Sequence, residues 1–155
     1  MTPTRAPKRL PIAAVEVVAG GVEATASVRV GPMTHIPRVL RELGFDPAAV
    51  MAGAGFAPSY FGDPDLPLPY AAAVRLLGHC ASATGCEHFG LLVGARAGPE
   101  CLGLTGLLLV SASDVATALG DLVRHLDLRD RGAIVSLQVD HGVAWLSYTI
   151  VMPEA

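Results

Sequence analysis

The run from Cys101 to Ser113, CLGLTGLLLVSAS, carries no charge over 13 residues, and Asp114 follows it at once. That junction constrains the chain more than any other stretch. An aspartate at such a boundary can accept the free backbone N–H groups of a first helical turn. Beyond it Val115, Leu119, Leu122, Val123 and Leu126 recur at helical spacing, which predicts an amphipathic helix over Asp114 to Leu128. Asp121 stands three and four residues ahead of Arg124 and His125, on the polar side. A striped helix needs a partner surface, and the uncharged run before it can supply one. With 13 residues, that run falls short of the roughly 20 that span a bilayer, so no membrane association is expected.

Upstream, the punctuation predicts a series of short helices. Residues 1–27 hold Pro3, Pro7, Pro11 and a glycine pair without a sustained period, and read as a flexible extension. Arg5, Lys8 and Arg9 precede an apolar stretch that contains Pro11 and ends at Glu16, too short for a secretory leader, so the chain reads as cytoplasmic. A short strand is expected around Val28 to Val30. A helix from Thr34 to Leu43 follows, with Ile36, Val39, Leu40 and Leu43 on one face and Gly44 as its stop. Asp46 and Pro47 open a second helix that supplies Val50 and Met51 and ends at Gly53. Residues 55–68 read as a turn-rich connector. Pro69 opens a third helix with Tyr70, Val74, Leu77 and Ala81 at core spacing, stopped by Gly85, and residues 87–97 form a fourth around Phe89, Leu92 and Val93. Near the end, residues 133–140 and 143–151 alternate as two strands joined at His141-Gly142, a pair suited to a tight turn. A lone hairpin is marginal in water, so its apolar face is expected to lie on the helices. The fold class is therefore α+β: a helical N-terminal two-thirds followed by an antiparallel β-hairpin that leaves an incomplete sheet.

The chain's 155 residues suffice for one domain with its own core, and a hydrophobic content of 52% excludes a disordered polymer. Three cysteines without a leader argue against a disulfide framework. The net charge of −3, with Lys8 the single lysine among ten scattered arginines, argues against direct nucleic-acid binding by this chain.

Nothing in the chain spells a catalytic motif, and no catalytic residue, cofactor or metal is assigned. His79, Cys80, Cys86 and His88 are of types that suit zinc, but they lack the paired spacing of a zinc site. His125 beside Asp121 reads as ordinary surface pairing, His141 as a solvated turn residue, and His35 has no evident partner. A binding role fits better than an enzymatic one, because small-molecule sites are concave, mainly apolar and sparing of polar groups. Gly90, Gly94, Gly103 and Gly106 each cost a helix interior about 1 kcal/mol, a cost offset where a backbone approaches closely or a pocket opens. Together with Tyr70, Phe89, Trp145 and Tyr148 they can line a ligand site; the same aromatics also suit plain core.

The order FGLLVG (Phe89 to Gly94), a Gly-rich apolar segment, then SASDVATALGDLVRHL (Ser111 to Leu126) resembles the N-terminal "arabinose-binding-like" sensor domain of AraC-type transcriptional regulators. Val28-Arg29-Val30, LRELGFDP (Leu40 to Pro47), Leu68-Pro69-Tyr70, Thr84 to Gly90 and the hairpin SLQVDHGVAWLSYTI extend the likeness over residues 28–152, leaving a tail at 153–155. The family pattern often places Pro at the position of Ser113 and Glu at that of Thr117, so the usual capping box is weakened here. Family members continue with the rest of the sensor domain and a pair of helix-turn-helix motifs, so the resemblance implies a truncated regulator. It implies an effector-sensing and dimerising domain without its own DNA-binding part. Its partners are then an unknown small-molecule effector and either a second copy or a full-length relative. The alternative is a stand-alone helical protein–protein interaction module with no ligand.

Overall fold

The computed structural model describes residues 26–126 and 130–150, and their order is α+β as the patterning predicts. A 3-10 helix at Gly31–His35 runs into α1 (Ile36–Glu42), so the helix expected from Thr34 starts as a tighter turn. Ile36, Val39 and Leu40 are buried, and Gly44, at a φ of +86°, ends the element. In α2 (Pro47–Gly53) the Asp46 carboxylate accepts the N–H groups of Ala48 at 3.1 Å and Ala49 at 3.2 Å. Pro47 takes the first helical position, where the missing N–H costs nothing.

The connector holds more structure than its prolines suggest. A 3-10 helix spans Pro58–Gly62, and β2 (Pro67–Pro69) pairs antiparallel with β1 (Ser27–Arg29), Val28 opposite Leu68. Proline donates no ladder hydrogen bond, which confines a Pro-Leu-Pro strand to a sheet edge. Ala26 is buried and Ser27 faces Pro69, so the last two residues of the expected extension pack against the elements that follow. Residues 1–25 of that extension, the stretch beyond Leu126 where the amphipathic helix is expected to reach Leu128, and the tail lie outside the described residues.

Helix α3 (Tyr70–Thr84) ends at Gly85 with a left-handed φ of +64°. Its buried side is Ala73, Leu76 and Cys80 rather than Val74, Leu77 and Ala81; Val74 is exposed, and Leu77 and Ala81 only flank the core. The helix meets α2, α4 (Phe89–Gly94), β1 and β2, and its small Ala72 and Ala73 are buried. Helix α4 is shorter than its expected span and buries Phe89 and Val93. One core joins these elements, with Leu40, Met51, Leu76 and Phe89 fully buried.

After a 3-10 helix at Pro99–Leu102 come α5 (Leu104–Ser111) and α6 (Val115–His125). Asp114 caps α6 as expected, accepting the Thr117 N–H at 2.8 Å, and that backbone N–H foremost holds its carboxyl below the usual carboxylate range. Asp121 pairs with Arg124 at 2.7 Å. Helix α6 lies beside α5, yet no residue of α6 is fully buried, and Leu104, Leu107 and Val110 of α5 are themselves exposed.

Strands β3 (Ala133–Asp140) and β4 (Val143–Ile150) form the predicted hairpin, with Asp140 opposite Val143 and positive φ at both His141 (+47°) and Gly142 (+80°). The expected docking of its apolar face on the helices holds only for part of the hairpin: α6 contacts β3, whose Val135 and Leu137 are half-buried. Every residue of β4 is exposed, Trp145 by 64% and Leu146 by 47%. Trp145 and Leu146, neighbours on opposite faces of β4, both stand largely in solvent.

Candidate functional site

The two halves of the molecule meet at Asp130. In the sequence, Leu128 to Gly132 reads as a charged connector, yet Asp130 is only 5% exposed and its backbone bridges to Val28 of β1. A buried carboxylate is costly unless donors surround it. Here the hydroxyls of Tyr70, from the start of α3, and Tyr148, from β4, both donate to Asp130 Oδ2, and the two hydroxyls also contact each other. The Gly132 N–H donates to Oδ1 at 3.0 Å. A further backbone bond crosses the seam, Arg131 N–H to Ser27 O at 2.9 Å, and beside it the Tyr70 N–H to Ala26 O bond at 3.0 Å extends the β1–β2 pairing. Gly132 lies so close to this cluster that an added Cβ would stand 2.6 Å from the Tyr70 ring and 2.8 Å from Ala26 Cβ.

Burial, with Asp130 adding to it, pushes the Tyr148 phenol up to about 12 and raises that of Tyr70 as well. A free phenol ionises near 10. The neutral phenols thus stabilise the fold fully below about pH 10, and this contribution is lost as pH rises through their folded values. An ultraviolet titration is expected to show late phenolate formation near pH 12 that disappears in Tyr148→Phe. Ionisation of every tyrosine near pH 10 in the folded protein would contradict the latch.

Beside this latch lies a cleft of about 190 Å³, walled by Val28, Gly31, Cys101, Leu126, Asp130 and Tyr148 among others. Ligand pockets commonly enclose roughly 300–1,000 Å³, so this space suits a compact guest. Its walls come from β1, the two 3-10 helices at Gly31–His35 and Pro99–Leu102, the end of α6 and the hairpin.

Of the residues singled out from sequence, Tyr70 and Tyr148 come together at Asp130, and Tyr148 alone reaches the cleft wall. Phe89 lies in the helical core, and Trp145 projects from the exposed hairpin. Gly90 and Gly94 face open space. Gly103 turns the chain into α5 with a φ of +55°, and Gly106 is pressed against the Pro99 carbonyl. The eight therefore do not line one concavity. Each glycine and aromatic satisfies a local requirement, and spacing along the chain does not reveal which partner it meets. Asp130 and Gly132 escaped the sequence reading. Their one signal is an aspartate two residues before a glycine at a strand entrance, a turn signature.

The four zinc-type residues separate too. Cys80 and Cys86 are buried free thiols, with burial pushing Cys80 up to about 11, whereas His79 lies over Gly53 and His88 is exposed. His35, without an evident partner in the sequence, stands 3.7 Å from the Cys101 sulfur. His141 is exposed as expected and pairs with Asp140 at 2.7 Å. Among the described residues no helix is long and apolar enough to cross a membrane.

Comparison with known proteins bears on residues 44–155. They match a family model described as the arabinose-binding domain of AraC transcription regulator, N-terminal. The comparison with curated proteins returned no match.

Proposed function

We propose an effector-sensing role from one premise: the chain belongs to the family of N-terminal arabinose-binding domains of AraC transcription regulators. That family is a regulatory ligand-binding domain of transcription factors and not an enzyme family. The observation that carries the reading is the cleft at the seam, whose walls belong to both the helical body and the hairpin. A guest held there touches both parts and favours one arrangement of the hairpin over others, a population shift. The cleft's size and its apolar side chains suit a small, largely apolar effector with a polar group turned toward Asp130 and Tyr148. The family name does not select arabinose, because the walls present few groups that would pair with a sugar's hydroxyls. A transcription-regulating role places the protein in the cytoplasm.

Self-association is the second part of the proposal. Large apolar side chains on α5 and on both strands of the hairpin stand in solvent, and such surface on a soluble domain marks an interaction site. An interaction module without a ligand would use the same surface. Native mass spectrometry of the protein after incubation with a metabolite extract separates the two. Sensing predicts a retained small mass that is lost in Leu126→Trp, which fills the cleft from the end of α6. A dimer that retains nothing, in both proteins, would leave only the interaction module.

A further inference from the structure

Two short 3-10 helices bring three potential metal ligands from distant parts of the sequence to one point. His35 closes the first of them, and Glu100 and Cys101 lie in the second. The Nε2 atom of His35 is 3.7 Å from the Cys101 sulfur, and both lie with a Glu100 carboxylate oxygen within 4.8 Å of one another. With metal–sulfur bonds of about 2.3 Å and metal–nitrogen bonds of about 2.0–2.1 Å, tetrahedral neighbours sit roughly 3.5 Å apart. The histidine and the thiol are thus almost at ligand spacing; the exposed Glu100, whose Oε1 accepts the Gly98 N–H at 3.1 Å, would complete the set by turning its carboxylate toward them. The backbones that carry them are held close. Gly31, at a φ of +32°, opens the first helix, and a Cβ there would stand 3.0 Å from the Cys101 carbonyl oxygen.

We propose that His35, Glu100 and Cys101 form a three-ligand site for a borderline-soft divalent cation, Zn²⁺ by its sulfur, nitrogen and oxygen donors. On binding, the Cys101 thiol releases its proton to solvent and its thiolate bonds the metal, with no change of oxidation state. The fourth position is left to water. Cys101 also belongs to the cleft wall, so the ion would sit at the edge of the space assigned to the effector, yet it needs no effector to bind.

The test uses the full chain, untagged, reduced and freed of metal, titrated with Co²⁺ alone. One equivalent is expected to bind with a thiolate-to-cobalt charge-transfer band and visible bands of tetrahedral strength, all erased by Zn²⁺. Cys101→Ser removes the charge-transfer band. His35→Gln and Glu100→Gln weaken binding about tenfold or more, whereas His88→Gln leaves it unchanged. X-ray absorption of the Zn²⁺-loaded wild type guards against a variant that does not fold, and is expected to show one sulfur at about 2.3 Å among lighter ligands. A folded wild type without the cobalt band, a band that survives Cys101→Ser, or a shell with no sulfur or two would overturn the site.

Discussion

Gly106→Ala is expected to destabilise the protein by about 3 kcal/mol, near the upper end for an overpacked site. A Cβ at this position would stand 1.7 Å from the Pro99 carbonyl oxygen and 2.6 Å from its carbon. Both are backbone atoms, so no side-chain rotation relieves the clash; α5 must move away from the Pro99–Leu102 turn. For a domain of this size the loss corresponds to a melting point lower by roughly 10 °C. The sign makes the test sharp, because glycine to alanine inside a helix ordinarily stabilises by up to about 1 kcal/mol. Gly90 shows that ordinary case: it lies in α4, a Cβ there meets nothing within 4 Å, and Gly90→Ala is expected to raise stability. Thermal melts of the two variants check the pair. A stabilised Gly106→Ala protein would mean that α5 does not rest on the Pro99 carbonyl.

Phe89→Ala is expected to cost about 3–5 kcal/mol, a large share of the roughly 5–15 kcal/mol that holds a domain together. The ring is fully buried in the cluster that joins α1, α3 and α4, so its removal leaves a void that rigid neighbours on several elements cannot fill. Urea unfolding without any added ligand measures the loss. A wall residue of an effector pocket would show a small cost in the empty protein and a large one in binding. A loss under about 1 kcal/mol would therefore move Phe89 from the core to a ligand site.

The glycines show where sequence reading reaches its limit. Gly44 and Gly85 were legible as helix stops, because a left-handed residue after a helical run is a local event. Gly90 and Gly106 sit alike in apolar helical stretches, yet one faces open space and the other a carbonyl oxygen. That difference depends on a segment folded back against the helix, which period and composition do not encode. Asp130 is the same problem with a charge: a residue in a polar connector becomes buried because two tyrosine hydroxyls, 60 positions upstream and 18 downstream, converge on it. The hairpin is the reverse case. Its alternation promised burial of one face, yet only β3 comes to lie half-buried beside α6 while β4 stands largely in solvent.

The sequence by itself determined the order and type of the elements, the Asp46 and Asp114 caps, the hairpin turn and the family, since each is set by a few neighbouring residues or by their order along the chain. The tertiary structure alone decided the sewing of the two halves at Asp130, the cleft beside it and the meeting of His35 with Cys101. Such contacts join positions tens of residues apart, and they exist only once packing has chosen which surfaces touch.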